Sequence, residues 1–122
     1  MKKTYLVSAD DFERFKRGFL YWVEVFGLRD YRIVFRHELI DDSYADILVN
    51  EPGKIATVRL TTGIDASNKD GLDIDGTALH EAIHLVTHRL YWLGACRHIH
   101  AEDLDEEWEA LTRRLGNAIA AS

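Results

Sequence analysis

The chain has 122 residues, of which 47% are hydrophobic and 30% charged, and this predicts one domain spanning residues 1–122 with a buried core. Its formal net charge of −6 argues against nucleic acid as a partner, because binding to phosphates depends on Lys and Arg. The single cysteine, Cys96, excludes an internal disulfide, and no apolar run approaches the roughly 18 residues that cross a bilayer. We therefore expect a cytoplasmic protein that does not enter membranes. The sequence specifies no oligomeric state.

An amphipathic helix is predicted near the start of the chain. Ser8 is a typical N-cap residue, and Asp10 and Asp11 follow in the first turn, where carboxylates interact favourably with the helix dipole. Apolar residues then recur at spacings of three and four and form one stripe: Phe12, Phe15, Phe19, Trp22, Val23 and Phe26. Gly27 is expected to end the helix.

Three strands are predicted next, because the apolar period changes to two. The strands cover residues 31–36, 44–49 and 55–61. The turn sequence Glu51-Pro52-Gly53-Lys54 predicts that the second and third strands form an antiparallel hairpin. Residues 62–76, rich in Gly, Asp, Ser and Asn, are predicted to be a polar loop.

Two further helices are predicted in the C-terminal half. Asp75 or Thr77 would cap the first, which ends near Gly94, and the second begins near Ala101. Their apolar stripes are Leu79, Ile83, Val86, Leu90 and Leu93 in the first, and Leu104, Trp108, Leu111 and Leu115 in the second. A helix, three strands and two helices together predict an α+β domain.

The sequence His80-Glu81-Ala82-Ile83-His84 lies within the first of these helices and carries the chemistry. Two histidines four residues apart project from the same face of a helix, so that both imidazoles reach one Zn²⁺ ion at about 2.0–2.1 Å. Glu81 is rotated away from both, and we expect it to act as the general base that takes a proton from water. The motif therefore predicts a zinc site with Glu81 as the catalytic residue.

On these residues and on the order of its elements, the chain resembles the zincin metallopeptidases, and in particular small phage and bacterial enzymes of a minimal gluzincin-like type. The resemblance implies a fold in which an N-terminal helix and a three-stranded sheet precede the HExxH helix, and a further helix carries the third ligand. It implies that the protein hydrolyses peptide bonds in a peptide or protein substrate. It also implies that an extended substrate adds to an edge strand, for which residues 55–61 are the candidate.

The third zinc ligand is chosen among residues after the motif. The metzincin pattern requires Gly and His where this chain has Thr87 and Leu90, so that class is excluded. The gluzincin pattern supplies a glutamate from the following helix, and the candidates are Glu102, Glu106, Glu107 and Glu109. Glu107 borders the apolar stripe of that helix, whereas Glu106 and Glu109 point away from it and Glu102 lies in its exposed first turn. We predict Glu107, with His100 as the alternative because it lies seven residues earlier on the same side.

Several other polar residues near the motif have two interpretations. His88 follows His84 by one turn and is expected to be a surface histidine, although it could face a substrate. Tyr44 and Tyr91 are expected to pack at the edge of the core, although either hydroxyl could stabilise an oxyanion. Asp73 could orient a ligand imidazole through its second nitrogen.

A second interpretation of the whole chain stays open. The zinc ion could fix the last two helices of a protein that does not catalyse a reaction, giving a binding or regulatory module. A site closed by four protein ligands, with both His100 and Glu107, would favour such a module. Three ligands with one open position would favour the enzyme.

Overall fold

The computed structural model describes residues 4–96 and 98–121 and is a mixed α and β structure. Its elements are β1 (Thr4–Leu6), α1 (Ala9–Phe26), β2 (Arg32–His37), β3 (Ala45–Asn50), β4 (Ile55–Leu60), β5 (Gly63–Asp65), a 3-10 helix (Ala66–Gly71), α2 (Ile74–Ala95) and α3 (Ala101–Ala121). The predicted α+β class is confirmed, as are the three helices and three of the strands to within a few residues. Among the described residues, no helix is both long and apolar enough to cross a membrane.

The ends of α1 are set by the residues that the sequence indicates. The Ser8 hydroxyl accepts a hydrogen bond from the Asp11 N–H, and the Asp11 carboxylate accepts one from the Ser8 N–H, which completes a capping box. Gly27 closes the helix in the left-handed conformation (φ 70°), which glycine adopts without strain. Phe15, Phe19 and other residues of the predicted stripe are buried.

The three-stranded sheet has the order β2-β4-β3. β3 and β4 are antiparallel, with Ala45 opposite Leu60 and Asn50 opposite Ile55, so the predicted hairpin is confirmed. The candidate edge strand is corrected: β4 lies in the centre of the sheet, because β2 pairs with its other side in parallel. The edges of the sheet are β2 and β3.

The segment 62–76 was predicted as a loop, and the structure corrects this. Its first residues form β5, which pairs antiparallel with β1, Tyr5 opposite Ile64. The 3-10 helix follows directly, and the Asp65 carboxylate accepts a hydrogen bond from the Ser67 N–H at its start. β1 was not predicted because three residues are too few to show a periodic pattern.

Helix α2 packs on α1 through small residues. Ala78 and Ala82 are fully buried, and a Cβ added at Gly18 of α1 would lie 3.2 Å from the Ala78 Cβ. Of the predicted stripe, Val86 and Leu93 are buried and Leu79 and Leu90 pack against the core, whereas Ile83 is 43% exposed. One core joins α1, the inner face of the sheet, α2 and α3, with Phe19 in edge contact with Phe35 at a ring-centroid distance of 5.6 Å.

Candidate metal centre

The motif lies in the first half of α2, and this helix begins earlier than the sequence predicted. The cap is Asp73 rather than Asp75 or Thr77, and its carboxylate accepts a hydrogen bond of 3.1 Å from the Gly76 N–H. Asp75 lies in the first turn and forms a two-pronged ion pair with Arg14 of α1. The start of α2 is thus fixed to α1, and the two turns that follow carry His80 and His84.

The two histidines present their ring nitrogens to one point outside the helix. The Nε2 atoms of His80 and His84 are 3.1 Å apart, and their ring centroids are 4.7 Å apart. Both side chains are exposed, so the point that they share is open to solvent. Without a metal ion this contact is a hydrogen bond from one ring N–H to the other ring nitrogen.

Glu81 lies beside the histidines but is 4% exposed. Its Oε2 atom is buried without a hydrogen-bond partner among the described residues. Burial raises the pKa of the Glu81 carboxyl above its usual range; His80 opposes this rise and the Asp46 carboxylate adds to it. A raised pKa brings a carboxylate closer to the range in which a general base works at neutral pH.

These three residues fit a zinc ion. Two nitrogens at about 2.1 Å from a tetrahedral ion lie about 3.4 Å apart, close to the observed 3.1 Å. One donor atom from each of His80, Glu81 and His84 lies within 4.8 Å of the others. The unpartnered Glu81 oxygen is also what an ion, or water beside it, would satisfy.

A cavity of about 380 Å³, which we call the α2 cleft, opens at this group. Its walls are the start of β3 with the residues before it, the end of the 3-10 helix, and α2: Ser43, Tyr44, Ala45, Gly71, Asp73, Gly76, Thr77, His80 and Glu81. The Tyr44 hydroxyl donates to the Asn68 carbonyl at 3.1 Å, which holds the 3-10 helix against the strand. Of the two tyrosines considered as oxyanion donors, Tyr44 lines the cleft. Tyr91 is 74% exposed and is not among the residues that line it.

The structure does not bring Glu107 to the two histidines. Its carboxylate accepts a hydrogen bond of 3.1 Å from Arg89 Nε. Arg89 follows His80 by nine residues, about 180° around the helix, so this contact with α3 lies on the side of α2 opposite to His80. As a zinc ligand Glu107 stays a prediction, and it would require this ion pair to break and α3 to move around α2.

The alternative ligand His100 is also outside the group. It is exposed, and its backbone carbonyl accepts from the N–H groups of Asp103 and Leu104 at the start of α3. His98 is exposed in the same connection between α2 and α3. Neither belongs to a cluster of three metal-binding side chains in the described part of the chain.

His88 has a partner that the sequence did not indicate. Its Nδ1 atom lies 3.0 Å from the Oε1 atom of Glu51, a carboxylate that is fully buried at the turn between β3 and β4. Tyr31 and Lys54 also donate to this carboxylate, at 2.5 and 3.0 Å. A glutamate beside Pro-Gly is typical of an exposed turn, whereas the burial of Glu51 depends on residues distant in sequence such as Tyr31 and His88. No local sequence signal could therefore have identified it.

Comparison of the chain with protein-family models, with curated proteins and with solved structures finds no match.

Proposed function

We propose that the protein is a zinc-dependent metallopeptidase in which His80 and His84 bind Zn²⁺ and Glu81 is the general base. The observation that carries this proposal is the pair of Nε2 atoms 3.1 Å apart beside a buried carboxyl with an unpartnered oxygen. Zinc in such a site supplies Lewis-acid chemistry, which polarises a carbonyl group and makes water more acidic. The α2 cleft is the place where a peptide would meet these groups.

Glu81 is suited to the proton transfers of peptide hydrolysis. Its carboxyl lines the cleft yet is shielded from bulk water, and burial favours its neutral form between the two transfers. In the proposed reaction it takes a proton from the attacking water and hands it to the leaving amine. The exposed histidines leave room for substrate on the side of α2 that faces away from the core.

The edge strand β3 is the proposed support for an extended substrate. The Thr61 N–H donates to the Tyr44 carbonyl, so in the antiparallel ladder the backbone groups of Ala45 and Ile47 point away from β4. The Ala45 carbonyl accepts only from the neighbouring Ser43 hydroxyl among the described contacts. Because Ala45 lines the α2 cleft, a peptide added to this edge would pass the motif.

Zinc content tests the ligand assignment directly. We expect about one zinc per chain in the wild type and in Glu81→Gln, and little in His80→Ala, by elemental analysis after exposure to zinc and gel filtration. His98→Ala removes an exposed histidine outside the group and should keep its zinc. Glu107→Gln and His100→Gln, measured in the same way, test the two candidate third ligands. The geometry leads us to expect that both variants retain the metal, and loss of zinc in one of them would identify that residue as a ligand.

Proteolysis of a denatured, fluorescently labelled protein tests the activity. The wild type should cleave it, and the zinc-loaded Glu81→Gln protein should not, since it lacks the base. A wild type that takes up no zinc would exclude the proposed function. Equal cleavage by Glu81→Gln would exclude the proposed role of Glu81.

A further inference from the structure

Strand β2 forms a free edge of the three-stranded sheet. It pairs with β4 in an unbroken parallel register from Arg32 opposite Ile55 to His37 opposite Leu60, and the described part of the chain places no strand on its other side. β2 has neither a proline nor a bulge, two features with which proteins block such an edge. Its free side can therefore pair with a further strand.

The backbone groups on the free side follow from the pairing with β4. The Arg32 N–H donates to the Lys54 carbonyl at 2.7 Å. In a parallel ladder alternate residues bond to the same neighbour, so the N–H and carbonyl groups of Ile33, Phe35 and His37 point away from β4. These groups make no backbone hydrogen bond among the described residues. They are the groups that strand addition uses.

His37 adds an unsatisfied side chain at the end of this edge. Its ring stacks on Phe12 of α1 at a centroid distance of 4.7 Å, and its Nε2 atom is buried without a hydrogen-bond partner among the described residues. Buried polar atoms of this kind are rare in folded proteins. The end of β2 therefore lacks polar partners in a side chain as well as in its backbone.

The outer face of β2 carries two cations. Phe35 contacts Phe19 of α1, so Arg32, Val34 and Arg36 lie on the opposite face, away from that helix. The two arginines are about 13 Å apart along the strand, at the usual rise per residue. Both are exposed, and neither forms an ion pair or a side-chain hydrogen bond with a described residue. They leave two positive charges without a partner beside the free backbone groups.

The other edge of the sheet has no cation. On the same outer face β3 carries Asp46, Leu48 and Asn50, and Asp46 is already paired with Arg59. An acidic segment is therefore attracted to β2 and not to β3, the edge proposed to support the substrate. The net charge of −6 has little effect on this choice, because at physiological salt charges are screened beyond about 8 Å.

A second copy of the chain fits this edge less well than an acidic segment does. In an antiparallel pair of β2 strands centred on Val34, Arg32 of one copy lies opposite Arg36 of the other. Like charges directly opposite each other destabilise a strand pair, whereas a glutamate opposite each arginine stabilises it.

We propose that β2 binds an extended acidic segment of another protein by strand addition, with carboxylates four residues apart opposite Arg32 and Arg36. Apolar residues of this segment, at the alternate positions between the carboxylates, would extend the apolar face of Ile33 and Phe35. The proposed surface lies on the edge of the sheet opposite to β3, so it does not depend on the proposed peptidase activity.

Peptide binding tests the preference for acidic residues. The probe is a fluorescein-labelled peptide with Glu-Ile-Thr-Ile-Glu between short ends of Gly and Ser, and its counterpart has Gln in place of both Glu. The protein is the whole chain with Glu81→Gln, so that the proposed activity does not consume the probe. At 150 mM salt we expect the glutamate peptide to bind about three- to tenfold more tightly by fluorescence anisotropy, and the difference to vanish at 1 M salt.

The variant Arg32→Gln/Arg36→Gln should abolish this preference and leave the affinity for the glutamine peptide unchanged. The matched control is Lys69→Gln/Arg113→Gln, which removes the same charge from exposed positions of the 3-10 helix and α3 and should keep the preference. Far-UV circular dichroism checks that both variants are folded.

Amide hydrogen exchange followed by NMR identifies the edge that binds. Saturation with the glutamate peptide should slow exchange at Ile33 and Phe35 and leave Ile47 of β3 unchanged. Protection of Ile47 alone would overturn the inference, as would equal affinity for the two peptides or equal losses in the β2 variant and its control. A dimer in gel filtration whose Ile33 and Phe35 amides are protected without peptide would also overturn it, and would assign this edge to a second copy.

Discussion

Glu51 is a buried carboxylate that lies outside the proposed chemistry and connects three parts of the fold. Its side chain is fully buried and accepts hydrogen bonds from Tyr31 before β2, Lys54 in the turn and His88 on α2. Arg89 lies 3.9 Å away and binds Glu107 of α3 on its other side. A buried carboxylate is tolerated only with such partners, because its desolvation is costly.

We predict that Glu51→Gln destabilises the protein by about 2–3 kcal/mol. The substitution keeps the shape but leaves the partly exposed cations Lys54 and Arg89 without their buried partner, which is less costly than leaving a fully buried charge. Urea denaturation followed by circular dichroism measures the loss. Tyr31→Phe removes one hydrogen bond and should cost only about 1–2 kcal/mol. A loss below 0.5 kcal/mol for Glu51→Gln would contradict this account.

The same residue predicts a dependence on pH. Burial alone would raise the pKa of the Glu51 carboxyl, but hydrogen bonds from Tyr31, His88 and Lys54 outweigh burial and hold it below its usual value. Because the folded pKa is lowered, this stabilisation is complete above the unfolded pKa of about 4.3 and is lost as the pH falls through the folded value. The difference in unfolding free energy between wild type and Glu51→Gln, measured by urea denaturation, should therefore shrink as the pH falls below about 4.

Among the elements, the contact between α1 and α2 positions the motif. Gly18 and Ala78 meet where the two helices cross, and a side chain at Gly18 would begin 3.2 Å from the Ala78 Cβ. Ala78 lies two residues before the motif and Ala82 within it, both on the buried face of α2. The depth at which Glu81 lies thus depends on how closely α1 approaches.

We predict that Gly18→Leu destabilises the protein by about 1–3 kcal/mol, because the added side chain forces the helices apart. Gly116→Leu is the matched control, since a Cβ at this exposed position of α3 meets nothing within 4 Å. It should be neutral or stabilising by up to about 1 kcal/mol, the helix propensity that glycine lacks. Thermal unfolding by circular dichroism compares the two, and equal effects would exclude close packing at Gly18 as the cause.

The sequence predicted the elements whose signals are local and missed those that depend on packing. The Ser8 cap, the Gly27 stop and the Pro-Gly hairpin each need only a few neighbouring residues. The central position of β4 depends on its parallel pairing with β2, which lies 23 residues earlier in register and leaves no local signal. On α2 the apolar stripe predicted Val86 and Leu93 as buried correctly, but it included the exposed Ile83 and not the buried small residues Ala78 and Ala82.

In the candidate site, too, the local motif could be predicted from the sequence, whereas the position of the third ligand depends on how the helices pack. The spacing of His80, Glu81 and His84 sets their positions on one helix, and the structure brings them together. Glu107 was chosen because it borders the apolar stripe of α3, but that argument does not define which side of α2 the helix covers. The structure places α3 on the side of Arg89, so a contact between α2 and α3 exists without a ligand reaching the motif.

At the scale of the whole molecule, the hydrophobic core does not include the two histidines of the proposed metal centre. The core is formed by α1, the sheet and the buried faces of α2 and α3, whereas His80 and His84 are exposed and belong to a single helix. An ion bound by these histidines joins two turns of α2 and no separate elements. This distinguishes the proposed enzyme from a module in which zinc fixes α2 to α3 through Glu107 or His100.

We predict that removing zinc with EDTA leaves the protein folded. The far-UV circular dichroism spectrum should be unchanged, and the unfolding transition should stay cooperative. The melting temperature should fall only because the stabilisation from zinc binding is lost, about 2.7 kcal/mol at a zinc concentration of one hundred times its Kd. His80→Ala, unable to bind zinc, should melt at the same temperature with and without EDTA. If chelation unfolds the wild type, then the ion must connect separate elements, and the zinc-stabilised binding module becomes the better description.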